Sequence, residues 1–325
     1  MCFSLFETNN FWNNLFKILI VLFIFFSCAS PLQKLKNMQF SKDSRKKVLI
    51  LISEDITNFL EVKNKYEQEI EEGYEFLSLN LEGSHEELGQ ISNFIQRLNP
   101  DLILCIGAVS LSSVAGRIVD KPILFSMVLD YQKFHIQKYN NIAGVSLEIP
   151  PEMIFYNFKS IIGDISKVGV ISGERYYTKL LQIKQNLQKQ DINLVVKKCN
   201  TPQNVVRSYE SVKDSIQAIW MFPDPEITNE ENFLYLAEKT VEDKLSFIVY
   251  SENFVKAGGL FSVSPNYSTI GSQLAIMTQQ ILEDSIQPAQ IGVSPIIGTF
   301  LTVNKTTLRK LGLNANYGLV DKSFE

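Results

Sequence analysis

Short polar segments that follow apolar runs hold the most chemically suggestive residues of this 325-residue sequence. Asp130 and Asp224 could each accept hydrogen bonds from a ligand ammonium group, or each could instead cap a turn or a helix. Free backbone N–H groups at a helix start near Ser110 could hold a carboxylate, unless that serine only caps the helix. Three tyrosines at strand ends could stack on a flat ligand or pack on the lobe surface. The predicted ligand-binding residues are Gly107, Ser110, Ser126, Asp130, Tyr131, Ser172, Glu174, Tyr176, Asp224, Tyr250, Glu252 and Asn253.

Catalytic patterns are not evident in the sequence. Its two histidines, His85 and His135, have no clear partner for nucleophilic catalysis. We find no Gly-x-Ser-x-Gly elbow, phosphate-binding Gly-Lys-Ser/Thr loop or Gly-x-Gly-x-x-Gly fingerprint. The four cysteines lack the spacing of metal ligands. We therefore expect no enzymatic activity, no cofactor and no metal.

An alternation of strands and helices must position the predicted binding residues. Residues 48–52 (VLILI) and 102–106 (LILCI) are apolar throughout, which indicates strands buried on both faces of a parallel sheet. Amphipathic segments between such strands predict α/β units with right-handed crossovers. The alternation occurs twice, over roughly 46–145 and 146–258, with four predicted strands in each block. The sequence thus predicts an α/β fold with two Rossmann-like lobes, hinged, whose ligand binds in one cleft outside the carboxyl ends of the strands.

The expected domain organisation has three chain crossings between the lobes, near residues 145, 258 and 285. The assignment is 1–27 for a signal peptide, 28–45 for a lipidated cysteine and tether, 46–145 plus 262–284 for the N-terminal lobe, 146–261 plus 285–313 for the C-terminal lobe, and 314–325 for a tail.

The pattern of the N-terminal segment predicts an export signal. The apolar run 18–26 is shorter than the about 20 residues that span a bilayer, and it fits a secretory signal core preceded by Lys17. Ser27-Cys28 directly after this run resembles the lipobox of bacterial lipoproteins, which implies cleavage before Cys28 and lipidation of its sulfur. The alternative is an uncleaved membrane anchor. Either interpretation places the folded part outside the cytoplasmic membrane and tethered to it.

Charge and cysteine content limit the partners. The net charge is −4, from 31 basic and 35 acidic residues that are interleaved along the chain, so we expect no nucleic-acid partner. Cys105 and Cys199 could pair in an oxidising compartment, or both could be unpaired thiols with Cys105 buried in a strand. The sequence shows no apolar stripe beyond those expected to pack in the core, so we expect a monomer.

Five stretches carry a resemblance to a known family. They are 99–107 (NPDLILCIG), 121–128 (KPILFSMV), 141–146 (NIAGVS), 258–271 (GGLFSVSPNYSTIG) and 303–313 (VNKTTLRKLGL). In order and spacing they resemble the ABC-transporter substrate-binding proteins of the tryptophan/tyrosine type, which are built like type I periplasmic binding proteins. The resemblance covers about residues 46–313. Two positions depart from the family pattern: Tyr131 stands where a proline is usual, and Asn266 where an aspartate is usual.

The resemblance implies a function for the predicted site. It implies an extracytoplasmic lipoprotein whose lobes close on a small molecule, an aromatic or other amino acid, and which delivers that molecule to an ABC permease. Two alternatives on the same fold stay open. One is a sensor whose closed form docks on a receptor. The other is a surface-adhesion lipoprotein whose cleft is blocked by the loop 131–139.

Overall fold

A computed structural model describes residues 38–83 and 88–325. The expected signal peptide, Cys28 and the first part of the expected tether lie outside the described residues. Within the described part of the chain, no helix combines the length and the apolar character needed to cross a membrane.

The structure divides into two compact lobes. The described part of Met1–Ser146 together with Gly271–Ser294 forms lobe 1, and Leu147–Ile270 together with Pro295–Glu325 forms lobe 2. The chain therefore passes between lobes after residues 146, 270 and 294. The second and third crossings lie later than the expected positions near 258 and 285. The reason is strand pairing: Phe261–Pro265 pairs in the sheet of lobe 2, and Val293–Ser294 pairs in that of lobe 1.

Lobe 1 is built on one parallel sheet. Its strands are β1 (Lys46–Ile52), β2 (Tyr74–Asn80), β3 (Leu102–Ile106), β4 (Ile123–Ser126), β5 (Ile142–Val145) and β11 (Val293–Ser294). The strand order is β11-β5-β4-β3-β1-β2, and every pairing is parallel. Its helices are α1 (Thr57–Glu69), α2 (Leu88–Leu98), α3 (Ala108–Val114), α10 (Pro288–Ile291) and, from Gly271 on, α9 (Tyr267–Leu282). Strand β3 is buried along its whole length and β1 is buried from Val48 onward, as the unbroken apolar runs 48–52 and 102–106 predict.

Lobe 2 is built on a seven-stranded sheet. Its strands are β6 (Lys167–Ser172), β7 (Asn193–Lys198), β8 (Ala218–Trp220), β9 (Ser246–Val249), β10 (Phe261–Pro265), β12 (Thr299–Asn304) and β13 (Lys322–Phe324). The order is β13-β12-β10-β9-β8-β6-β7, with only β10 and β12 antiparallel. Its helices are α4 (Pro151–Ile161), α5 (Glu174–Leu187), α6 (Val205–Glu210), α7 (Glu230–Glu242), α8 (Glu252–Lys256) and α11 (Lys305–Leu311). The mixed α/β fold with two parallel-dominated sheets is confirmed.

The ends of α11 show how local sequence sets these elements. The side chain of Asn304 accepts a hydrogen bond from the amide of Thr307 at 2.9 Å and begins the helix. Gly312 adopts a left-handed backbone (φ 69°) that ends it.

Three sequence expectations about the lobes differ from the structure. Each sheet has more than the four strands expected, because short strands such as β11 and β13 carry no apolar pattern. The expected tether is partly packed on lobe 1, since Phe40 is buried in its core and the Ser41 hydroxyl donates to Glu75 at 2.7 Å. The expected tail, residues 314–325, belongs to lobe 2, because residues 322–324 add a strand to its sheet.

Candidate ligand-binding site

Strand order reverses beside the first strand of each sheet. β1 lies between β3 and β2 in lobe 1, and β6 lies between β8 and β7 in lobe 2. In open parallel sheets, ligands bind outside the carboxyl ends of the strands at such switch points. The loops that follow β1, β3, β6 and β8 are therefore the first candidates for ligand contacts.

Two serines join the loops at the switch point of lobe 1. The Oγ of Ser53, directly after β1, accepts a hydrogen bond from the amide of Ser110 at 3.0 Å. The Ser110 hydroxyl donates to the carbonyl oxygen of Gly107 at 2.8 Å, and Ser110 is fully buried. Gly107 has φ 100°, and a Cβ there would collide with the Ser53 side chain. Ser53 is not among the residues predicted from the sequence, although a serine directly after a buried strand is a visible signal.

The structure thus assigns Ser110 a different role from the one expected. Its amide already has an acceptor in Ser53, so in this structure it does not offer an N–H group to a ligand carboxylate. The N-cap position of α3 is Gly107 rather than Ser110. Ser110 therefore holds the loops after β1 and β3 together.

The segment after β4 combines backbone strain with a buried hydroxyl. Met127 (φ 59°), Asp130 (φ 54°) and His135 (φ 51°) adopt left-handed conformations that are costly for residues other than glycine. Such strain concentrates at ligand-binding and switching sites. Ser126, the last residue of β4, is fully buried, and its Oγ has no hydrogen-bond partner. Its carbonyl oxygen accepts from the amide of Gly107 at 2.9 Å, which places this segment beside the loop after β3.

Asp130 and Tyr131 begin the 3₁₀ turn that follows. The side chain of Asp130 makes no capping hydrogen bond to this turn, so the capping alternative does not explain the aspartate. The ring of Tyr131 packs on the fully buried ring of Phe125 in the core of lobe 1, with 5.7 Å between the ring centroids. Tyr131 is half-buried and Asp130 partly exposed, which leaves both able to face a ligand.

A buried carboxylate organises the switch point of lobe 2. Asp224 follows β8 and is fully buried. Its Oδ2 accepts from the amide of Gly173 at 2.8 Å and from the hydroxyl of Ser172 at 3.3 Å, and its Oδ1 accepts from the amide of Glu226 at 3.0 Å. In this structure Asp224 therefore positions the loop after β6, which agrees with the turn alternative and not with a direct ligand contact.

Carboxylates surround the start of α5. Glu174, its first residue, is exposed and forms an ion pair with Lys198. Glu226 approaches the same helix start, where its Oε2 accepts from the amide of Arg175 at 3.4 Å. A Cβ at Gly173 would meet the Glu226 carboxylate, which would have to move away from the helix start. The N-terminus of α5 is thus already bonded to the chain's own acids.

Aromatic residues at the strand ends of lobe 2 are anchored to its core. Tyr176 packs on Phe222 with 5.4 Å between centroids, and Tyr250 packs on Phe254 with 4.9 Å. Burial raises the pKa of the Tyr250 hydroxyl above its ordinary value. Both tyrosines are half-buried, so each keeps part of its ring accessible.

The loop after β9 turns directly into α8. Its first residue, Glu252, forms an ion pair with Lys322 of β13 at 2.6 Å. Lys322 also lies over the ring of Phe300 at 4.0 Å. Asn253 is exposed. Lys322 is not among the residues predicted from the sequence, since a lone lysine seventy residues downstream gives no signal of this contact.

The predicted site residues therefore separate into two groups. Ser110, Ser126, Ser172 and Asp224 are fully buried, and they shape the loops with Gly107. The residues with accessible surface are Asp130, Tyr131, Glu174, Tyr176, Tyr250, Glu252 and Asn253. Each lobe by itself therefore presents a carboxylate and an aromatic ring at this edge of its sheet, side chains that suit recognition of a cationic or aromatic group. In the described ranges, no three His, Cys, Asp or Glu residues come together as a metal site.

The two buried cysteines play no part in this arrangement. Cys105 and Cys199 are both free thiols, so the unpaired alternative describes this structure. Burial raises the pKa of the Cys105 thiol.

A family model described as "ABC transporter substrate binding protein" matches residues 62–325. The chain belongs to this family. Its members bind small ligands outside the cytoplasm, interact with ABC permeases and are not enzymes. No curated protein matches the sequence.

Solved structures of this kind share the fold. The ligand-free, open form of CD0873, a substrate-binding protein with adhesive properties from Clostridium difficile, aligns with a TM-score of 0.74 and 18% identity, over 86% of this chain and 100% of that one. An ABC domain from Streptococcus pneumonia in complex with L-Trp gives 0.60 and 16%, over 86% and 100%. A periplasmic ribose ABC transporter protein from Conexibacter woesei gives 0.54 and 12%, over 84% and 96%. The fold is that of type I periplasmic binding proteins.

Proposed function

We propose that this substrate-binding protein is a lipid-anchored receptor for an amino acid, foremost an aromatic one, which it delivers to an ABC importer. The observation that carries the proposal is the set of partly exposed carboxylates and tyrosines at the carboxyl edges of both sheets. The L-Trp bound to the structurally similar Streptococcus domain supports the ligand class.

Individual residues take distinct roles in this proposal. Asp130 of lobe 1, which is partly exposed in the segment after β4, accepts hydrogen bonds from the ligand ammonium. The rings of Tyr131, Tyr176 and Tyr250 stack on an aromatic side chain. Ser53 and Asp224 do not touch the ligand but keep the flanking loops in place.

Closure of the lobes follows from ligand contacts made by both. The chain passes between the lobes three times, and these passages act as a hinge. Contacts that exist only in the closed form shift the population toward it. The closed form then docks on the permease, and a lipid on Cys28 raises its concentration at the membrane.

The decisive experiment is ligand screening by thermal unfolding of the fragment 30–325. The panel contains amino acids, nucleosides, sugars and peptides. A ligand at ~100 times its Kd stabilises the folded state by about 2.7 kcal/mol, which raises the midpoint by several degrees. A shift confined to aromatic amino acids supports the proposal. A shift with another class of compound would support a solute-binding function but refute the amino-acid ligand. If no compound shifts the midpoint of folded protein that is free of copurified ligand, both the solute-binding function and the amino-acid ligand are refuted.

Matched variants test the binding residues. Tyr131→Ala and Asp130→Asn each reduce affinity for the active compound about tenfold or more, measured by titration calorimetry. Tyr317→Ala, at an exposed tyrosine outside these loops, leaves affinity unchanged. Incorporation of labelled palmitate into the wild type but not into Cys28→Ala tests the lipid anchor.

A further inference from the structure

Two fully buried hydroxyl groups face each other inside lobe 2 without hydrogen-bond partners. They belong to Ser262 of β10 and Thr302 of β12, both 0% exposed. The two residues are direct cross-strand partners in the antiparallel pair. Buried hydroxyl groups in native proteins nearly always have a partner, so an adjacent pair without one requires an explanation.

The strand register fixes the distance between them. The amide of Asn304 donates to the carbonyl of Leu260, and the amide of Asn266 donates to the carbonyl of Gly298, each at 3.0 Å. Antiparallel pairs alternate between hydrogen-bonded and non-hydrogen-bonded types, which makes Ser262 and Thr302 a hydrogen-bonded pair. Their Cα atoms are then about 5.5 Å apart, and their backbone groups bond to each other. Only the two side-chain oxygens need partners.

Both hydroxyl groups lie on the face of the sheet that α8 covers. Asn304, two residues after Thr302 and on the same face of β12, donates from Nδ2 to the carbonyl oxygen of Val255 in α8 at 2.8 Å. The neighbour of Thr302 on the other side is Lys322, whose ammonium is bonded to Glu252. Neither α8 nor β13 therefore supplies a hydrogen-bond partner for the hydroxyl group of Ser262 or Thr302.

A water molecule fits these constraints. Interior waters in proteins bind polar groups that would otherwise be unsatisfied, and they typically make about three hydrogen bonds. Two hydroxyl groups on cross-strand residues whose Cα atoms are that far apart can each reach one water between them. A direct bond between the hydroxyl groups would satisfy one donor and leave the other without an acceptor.

We propose that one internal water molecule binds between the Oγ of Ser262 and the Oγ1 of Thr302, beneath α8. The site is independent of the ligand and goes beyond the proposed function. Because α8 begins with Glu252, the water also contributes to the position of a loop at the carboxyl edge of the sheet.

The sign of a stability change tests this site. Thr302→Val and Ser262→Ala, made in the full chain in detergent, each remove one partner of the water. We expect each to lower the Tm of lobe 2 by about 2–4 °C, since the water and the remaining hydroxyl lose a hydrogen bond. Thr57→Val, at an exposed threonine, is the control and changes the Tm by less than about 1 °C. A rise in Tm with either core variant overturns the proposal, because removal of an unpartnered buried hydroxyl is stabilising.

A direct measurement does not depend on the variants folding. A high-resolution crystal structure of the protein should show a density peak about 2.6–3.2 Å from both oxygens. A direct hydrogen bond between the two hydroxyl groups, or the lack of any peak between them, overturns the proposal.

Discussion

Removal of the Asp224 carboxylate should destabilise lobe 2 by an amount that its contacts define. Hydrogen bonds to a charged group contribute about 1.5–3 kcal/mol each. In Asp224→Ala, the amide of Glu226 can turn to water because that residue is exposed, and the Ser172 hydroxyl keeps its bond to the carbonyl of Gly173 at 2.9 Å. Only the buried amide of Gly173 loses its acceptor, the Asp224 Oδ2 at 2.8 Å. We therefore expect a loss of about 2–3 kcal/mol in the free energy of unfolding.

Urea unfolding measures this loss against a matched control. Asp214→Ala removes an exposed carboxylate from the same lobe and should change the free energy of unfolding by less than about 0.5 kcal/mol. Asp224→Asn retains one acceptor oxygen and should fall between the two. If Asp224→Ala loses less than about 1 kcal/mol, Asp224 does not hold the loop after β6. A large loss of ligand affinity without loss of stability would assign it to the ligand instead.

Three further predictions concern other parts of the fold. Gly271→Ala should destabilise the protein by about 1–3 kcal/mol in urea, because its Cβ would lie 2.7 Å from the carbonyl oxygen of Val62, and an unchanged midpoint would contradict this packing. Hydrogen bonds from Ser41 hold the pKa of Glu75 below its usual value. The Glu75 carboxylate therefore binds a proton less readily in the folded state than in the unfolded state. The stability that this carboxylate contributes is present above the unfolded pKa of about 4.3 and is lost as the pH falls through the folded pKa. Ser41→Ala should lower stability at pH 7 and reduce its decline between pH 5 and pH 3, as measured by urea midpoints; an unchanged pH profile would refute this role. The buried thiol of Cys105 should react with a maleimide only after addition of urea, and rapid labelling of the native protein would show that β3 is accessible.

The fold was predictable because its central strands are self-evident in the sequence. Short unbroken apolar runs such as residues 102–106, bounded by Asp101 and Gly107, indicate strands covered on both faces and so favour a parallel α/β architecture. The lobe boundary near 262 was not predictable in the same way. Strand β10 and helix α9 follow each other without any break in composition, and only the pairing of Phe261–Pro265 with β12 assigns that strand to lobe 2.

Candidate residues at the strand ends could be selected from the sequence, but the contacts that their side chains make could not. Asp224 stands in a Pro-Asp-Pro turn, and that much is visible in the sequence. Its partner Gly173 lies 51 residues earlier. No local pattern connects the two positions, so a carboxylate that organises a loop could not be distinguished from one that contacts a ligand. The same limitation hid the contact of Ser53 with Ser110, 57 residues apart.

The pairing of β13 with β12 has a consequence for the biogenesis of the protein. During synthesis, residues 322–324 emerge after every other strand of both sheets. Until then β12 presents a row of unpaired N–H and C=O groups, and an uncovered strand edge is a template for pairing with another chain. A nascent or proteolysed chain that lacks β13 would therefore be prone to self-association. Such a chain would be a target for chaperones and proteases.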